Sequence, residues 1–337
     1  MNGTVVLPPR STFLVVLESG IAIIFMFLAI AGNLTVYLAI YRNKLLRTVP
    51  NFLLLNLATS DILNSAASFP LLVPVLVSGA WDFQESVCQF QAFQTYLSYS
   101  CSLLTLAVTS VTRYYATVHP VKHRGLFKAK ALCVLISAVW VTSFVFAGTP
   151  LVGWGRYQFE PSYALCIHDH NSSTSYNMFL FVFLIVNSMV IVTCYSKIFK
   201  AMKTRNRRVH SLFAQGSNSR QLEVINAQEV KLTNTIFIVI CLFAISYVPT
   251  ILLGFLMFTP LHIPRFARML STFSVAFASA VNPIVYWVRS KAFRQALKGL
   301  FRKNNTLRID VSENAGSSST AERALVSSRN IQPLLRK

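Results

Sequence analysis

The sequence predicts an all-α membrane protein, a bundle of seven transmembrane helices with a short amphipathic helix after the seventh. Three observations carry that prediction. Hydrophobic residues fill 54% of the chain and charged residues only 12%, about half the charge of an ordinary soluble domain. The apolar residues gather into runs at about 13–41, 50–78, 86–117, 129–152, 175–200, 230–258 and 264–288, each long enough for a helix to cross about 30 Å of hydrocarbon. Basic residues fall in alternate connections: Arg42, Lys44 and Arg47 after the first run, Lys122, Arg124, Lys128 and Lys130 after the third, and Lys200, Lys203, Arg205, Arg207, Arg208 and Arg220 after the fifth. By the positive-inside rule the N-terminus lies outside and the C-terminus inside.

The net charge of +20, from 31 Lys and Arg against 11 Asp and Glu, is therefore topological. The basic residues lie between spans and are not interleaved with aromatics, so the sequence points away from nucleic acid and toward membrane lipids. The first dozen residues include Pro8, Pro9 and Arg10, which leaves no cleavable signal and makes the first span its own insertion signal. The expected organisation is an extracellular N-terminus over 1–12, a seven-helix membrane bundle with its amphipathic helix over 13–302, and a disordered cytoplasmic tail over 303–337.

The first span contains Gly32 and Asn33, and the second contains Asp61. The third runs uncharged from Cys88 to Arg113, a helix of roughly 37 Å with a thiol at one end and a cation at the other. Cys88 and Cys166 lie at span ends, whereas Cys101, Cys133, Cys194 and Cys241 lie inside apolar runs as small hydrophobes. Ionisable and amide groups within a membrane are functional candidates. Asn33, Asp61, Ser102, Ser279 and Asn282 are expected to converge on one polar cluster able to take Na+, with a helix-packing lattice as the plainer reading. Pro150, Pro249 and Pro283 mark sites where a missing N–H lets a helix bend.

Aromatic and hydroxyl residues gather toward the exterior half. Tyr96 and Tyr99 of the third span, Phe179 and Phe183 of the fifth, Tyr247 of the sixth, and the handles Thr95, Glu160 and Thr250 compose a candidate small-ligand pocket. Asn2 and Asn171 open glycosylation sequons in predicted exterior segments. After the seventh span, Phe293, Leu297, Leu300 and Phe301 form one apolar face flanked by Lys291, Arg294, Lys298 and Arg302, as in a helix lying on the inner membrane surface. The Ser317–Thr320 run of the tail offers hydroxyls for phosphate.

As a set, these residues resemble the rhodopsin-like, class A family of G protein-coupled receptors over about residues 13–302. The matching motifs are Gly32-Asn33, Leu57-Ala58-Thr59-Ser60-Asp61, Cys88, Thr112-Arg113-Tyr114, Trp140, Pro150, Cys166, Tyr195, Phe243, Ser246-Tyr247-Val248-Pro249 and Asn282-Pro283-Ile284-Val285-Tyr286. Three positions depart from the family pattern: Thr112 replaces an acid, Tyr247 a tryptophan and Asn187 a proline. The resemblance implies a disulfide between Cys88 and Cys166, the thiols at exterior span ends in an oxidising compartment. It assigns G-protein coupling and switching to Thr112, Arg113, Tyr114, Tyr195, Glu229, Asn282, Pro283 and Tyr286, with Arg113 paired to Glu229.

Within the family, Gly153-Trp154-Gly155-Arg156-Tyr157 followed by Glu160 and Cys166 is similar to an opsin loop. The resemblance adds Gln91 and Ala276 to the candidate pocket: Ala276 stands where an opsin carries its retinal-binding lysine, and Gln91 is neutral where the third helix can supply a counterion. A Schiff base needs an amine, so the chain looks like an opsin-related or melatonin-receptor-like receptor without covalent retinal and without another cofactor. The resemblance implies a plasma-membrane location, a small-molecule or peptide ligand, a heterotrimeric G protein, and arrestin and receptor kinase at the tail. An opsin-like photoreceptor with a non-covalent chromophore is the alternative. A transporter is disfavoured by the lack of an internal repeat and by Asp61 standing as the single buried acid. An enzyme is disfavoured by six His without metal-ligand spacing.

Overall fold

The computed structural model describes residues 6–214, 220–256, 261 and 263–301, with the side chains of 45, 208–214, 220–229, 292, 297 and 299–301 outside the description. Its helices are α1 (Thr12–Arg42), α2 (Val49–Ser78), α3 (Glu85–Val118), α4 (Pro120–Leu126), α5 (Ala129–Gly148), α6 (Thr174–Ala214), α7 (Arg220–Leu256), α8 (Arg265–Arg289) and α9 (Lys291–Phe301). All except α4 and α9 occupy the seven apolar runs. The expected limits stopped where the apolar residues stop, yet α6 and α7 continue through basic sequence to Ala214 and from Arg220. Directly after α5, Pro150 sits in a 3-10 turn over Thr149–Val152, where its missing N–H falls in the first turn and breaks no helical bond. The chain divides into two units, Met1–Ala296 and Leu297–Lys337, and the expected tail over 303–337 lies outside the described residues.

Among the described residues, six helical segments are apolar enough to cross a membrane by length and composition. The seven-helix reading holds because α3, 34 residues long, is polar on the face it buries. Gln91, Gln94, Ser98, Ser102, Thr105 and Thr109 are all buried there. Such residues are tolerated when their protons return to the helix backbone: Thr105 donates to the Cys101 carbonyl at 2.6 Å, Thr109 to Thr105 at 2.7 Å and Ser110 to Leu106 at 2.7 Å. The helix is turned inside out, with a hydroxyl-rich face at the centre of the bundle.

α1 packs by small residues. Ala22, Ala29, Gly32, Val36 and Ala39 are buried along one face, while Phe13, Phe27 and Leu34 face outward, the arrangement that lets membrane helices approach closely. A Cβ on Gly32 would stand 3.0 Å from Pro283 Cγ, so a larger residue would have to push the proline ring aside. Pro283 in α8 has no N–H to offer the carbonyl of Ser279, one turn earlier. Asn33 Nδ2 donates to that carbonyl at 3.0 Å and to Ala29 at 2.8 Å. The Gly32-Asn33 pair thus both fits the proline and satisfies the acceptor it frees.

Between α5 and α6 lies a hairpin of β1 (Tyr157–Glu160) and β2 (Leu165–His168), antiparallel with Tyr157 opposite His168 and Phe159 opposite Cys166. It adds two short strands to the expected all-helical design. α9 begins as expected, with Phe293 buried against Tyr286 at 6.0 Å between ring centroids and Arg294 donating to the Val288 carbonyl at 2.7 Å.

Candidate functional site

At the Cys88 end of α3, a disulfide joins Cys88 to Cys166 of β2. Gln91 Oε1 accepts from the Cys166 N–H at 3.0 Å, and Gln89 Nε2 donates to the Tyr157 carbonyl at 3.1 Å. Tyr157 adds a hydrogen bond to the Ala147 carbonyl at 2.9 Å. One covalent bond and three side chains therefore hold an otherwise marginal two-stranded unit across the bundle. Beneath it lies a cavity of about 290 Å³, bounded by α2, α3, α6, α7, α8 and the hairpin.

Thr95, Tyr96, Tyr99, Tyr247, Thr250 and Ala276 line that cavity, together with residues not singled out from sequence such as Asn64, Tyr163, His170 and Phe255. Four expected pocket residues do not line it. Gln91 is fully buried, its amide committed to Cys166 and to the Ser68 carbonyl at 3.2 Å. Glu160 is turned to Arg268 at 3.2 Å, beside a second, polar recess of about 180 Å³. Phe179 and Phe183 pack on Phe146 at 5.5 and 4.3 Å between ring centroids, closing the α5–α6 interface. Their helical spacing was right for one shared face, but that face meets a neighbouring helix.

The loop after β2 supplies the cavity's only histidine among the described residues, His170. Burial holds its imidazole down to about 4, with the neighbouring His168 adding to the shift. His168 is fully buried and also lowered by burial, its Nε2 hydrogen-bonded to Asn177 Oδ1 at 2.6 Å. Both rings are therefore neutral near pH 7. The lining among the described residues has no Asp, Glu, Lys or Arg.

Toward the middle of the bundle the five expected cluster residues are all buried, and Asn33, Ser279, Asp61 and Asn282 are joined by hydrogen bonds. Asn282 Nδ2 donates to Asp61 Oδ2 at 2.9 Å. Ser102 pairs with Ser60 at 2.9 Å, and Asn33 bonds the backbone of α1 and α8. Asn33 Oδ1 remains buried without a partner. A second link joins three helices: Trp140 Nε1 donates to Asn56 Oδ1 at 2.8 Å, and Asn56 Nδ2 to Thr105 at 2.7 Å. Asp61 is not the single buried acid. Glu18 of α1 is 7% exposed and meets Arg265 twice at 2.7 Å and Arg10 at 3.3 Å.

Residues 32–286 match the family described as 7 transmembrane receptor (rhodopsin family). The chain belongs to that family. It is 30% identical to melanopsin from Podarcis siculus over 283 residues, covering 80% of this chain and 58% of that protein. With melatonin receptor type 1A from Phodopus sungorus it shares 28% identity over 297 residues, 86% of this chain and 81% of the relative. The crystal structure of squid rhodopsin superposes with a TM-score of 0.79 at 22% identity, over 89% of this chain and 91% of that one, a likeness of fold. This receptor spans little more than half the length of the melanopsins it matches, 58% and 57% for the lizard and rat proteins.

At the other end of the receptor, Arg113 and Thr112 are buried in the last turns of α3. Thr112 donates to the Thr109 carbonyl at 2.8 Å. Tyr114 bonds His119 at 3.2 Å, with Lys197 Nζ 5.6 Å from its ring centroid. Tyr195 and Tyr286 are buried, their hydroxyls without hydrogen-bond partners among the described residues. The Glu229 side chain lies outside the described residues, so its expected pairing with Arg113 stands as an expectation. Asn187, at the position of the missing proline, donates to the Phe183 carbonyl at 2.8 Å and keeps α6 regular. Asn171 is exposed in the loop before α6, while Asn2 lies outside the described residues.

Proposed function

We propose that this protein is a plasma-membrane receptor, with its N-terminus and hairpin outside, that converts binding of a small ligand in the cavity into activation of a heterotrimeric G protein. One observation supports this reading above the others. Tyr99 and Tyr247, on the two helices that bound the cavity's inner end, pack with tilted rings at 4.9 Å between centroids, and Tyr247 continues onto Phe243 at 4.5 Å. A ligand that moves these rings acts directly on α3, which carries Arg113, and on α7, which Pro249 interrupts. Ligand binding then shifts the population between two helix arrangements.

Ala276 lines the cavity with no amine, and no lysine lies among its described lining residues, so retinal would bind without a Schiff base. Na+ would find oxygen donors in Asp61 and the orphaned Asn33 Oδ1; bound, it would neutralise the buried carboxylate. Asn171 is the accessible glycosylation acceptor, and arrestin and a receptor kinase would engage the tail. The test is nucleotide exchange by a panel of purified G proteins with reconstituted receptor, in darkness and light, with and without 11-cis-retinal. Exchange catalysed by the receptor supports the reading. Ion flux or solute uptake without nucleotide exchange on any G protein would replace it with a transporter.

A further inference from the structure

We infer that the cavity takes a neutral, largely apolar ligand that presents a hydrogen-bond acceptor to the hydroxyls of Tyr99 and Tyr247, an inference that rests on the receptor reading above. The uncharged lining is the first ground. An ion brought into this space would lose its hydration and meet no counter-charge among the described lining residues, a cost that apolar contact does not offset. His170 adds none, since burial keeps its ring neutral down to about pH 4.

The second ground is how the lining uses its polar groups. Thr250 and Ser271 bond each other at 2.7 Å, and Thr95 donates to the Gln91 carbonyl at 2.9 Å. Asn177 is held on both sides, by His168 at 2.6 Å and the His170 carbonyl at 2.7 Å. Tyr99 and Tyr247 differ. Each is the innermost lining residue of its helix, the two rings pack against each other at 4.9 Å between centroids, and neither hydroxyl has a hydrogen-bond partner among the described residues. A ligand that fills the cavity must offer these hydroxyls an acceptor or leave two phenol protons unpaired, and sites of this kind discriminate against analogues lacking the polar atom. A volume of about 290 Å³ stands at the lower end of small-molecule sites.

Four probes on one bicyclic frame separate these requirements: 2-acetylnaphthalene, 2-ethylnaphthalene, 2-naphthoate and 1-(2-naphthyl)ethylammonium. Their affinities are read from the concentration dependence of thermal stabilisation of the purified full chain, a measurement that involves no G protein. A failure of nucleotide exchange therefore leaves this result standing, and the reverse also holds. The ketone should bind about fivefold more tightly than the hydrocarbon, the equivalent of one neutral hydrogen bond, and both should exceed the two ions. Tyr99→Phe and Tyr247→Phe together should erase the ketone's advantage while the hydrocarbon still binds, which also shows that the variant folds. Three results overturn the inference: no stabilisation by the ketone, an ion binding as tightly as the ketone, or a ketone advantage that survives loss of both hydroxyls.

Discussion

Glu18, near the disulfide end of α1, meets Arg265 at 2.7 Å through both oxygens and Arg10 at 3.3 Å. Asp61, midway along α2, is met by the Asn282 amide at 2.9 Å with Ser279 nearby, and no Lys or Arg among the described residues pairs with it. Both carboxylates are buried to a similar degree, 7% and 5% exposed. The first is a strut that ties the N-terminal segment, α1 and α8 together. The second has only amide and hydroxyl partners, so that protonation or a helix movement changes the balance there. Equal burial therefore means opposite things in the outer and middle layers of this bundle, and partners decide which.

The sharpest test of that contrast is Glu18→Gln against Asp61→Asn. The first leaves Arg10 and Arg265 without their carboxylate and should cost about 3 to 5 kcal/mol, read as a large fall in thermal midpoint in detergent. The second removes a charge with no cationic partner and should be neutral or mildly stabilising, while altering agonist-independent exchange. Similar thermal losses for the two variants would break the comparison. Next in size is the disulfide that anchors the hairpin. Cys166→Ser should cost about 2 to 5 kcal/mol and sharply reduce surface expression or ligand response. Native protein with normal levels of both and two alkylatable thiols would refute the tether.

The outer layer should also be the acid-sensitive one. His170 has its pKa held at about 4 in the folded protein against 6.5 when unfolded. Between those values the unfolded chain binds a proton that the folded chain refuses, so stability rises with pH across the window and falls on acidification. From pH 7 to pH 5 the loss should reach about 2 kcal/mol. His170→Gln should flatten the slope of thermal midpoint against pH over that range. An unchanged slope would move the acid sensitivity elsewhere.

Much of the frame was legible because a bilayer forces long apolar runs and basic connections, and both can be read residue by residue. α3 was legible by a different signal, the absence of charge between Cys88 and Arg113, although its buried face is rich in Ser, Thr and Gln. The hairpin was not, since four-residue strands held by Cys166, Gln91 and Gln89 have no periodicity of their own. Six of the ten expected pocket residues line the cavity. Phe179 and Phe183 fall elsewhere because helical spacing says which residues share a face and not what that face meets. Glu18 carried a readable signal, an acid inside an apolar run with Arg10 eight positions before it. Its second partner, Arg265, lies 247 positions away, beyond any local pattern.

The smallest expected effect concerns the inner end, where the comparison predicts a switch held less firmly than the outer strut. Thr112 is buried beside Arg113 in sequence, and it donates its one hydroxyl proton to the Thr109 carbonyl at 2.8 Å. It therefore offers Arg113 no negative charge, where other family members place an acid. Thr112→Glu would supply a charge-assisted partner within the same helix, a contribution of about 1.5 to 3 kcal/mol. Since about 1.4 kcal/mol is a tenfold change in an equilibrium constant, ligand-independent nucleotide exchange should fall roughly tenfold at matched surface expression. Glu229→Ala should raise it, and Arg113→Ala should abolish coupling. Thr112→Gln controls for size, because it fills the same space without the charge. If the Gln and Glu variants quiet the receptor equally, bulk rather than charge restrains the inner end, and the contrast with Glu18 loses its electrostatic basis.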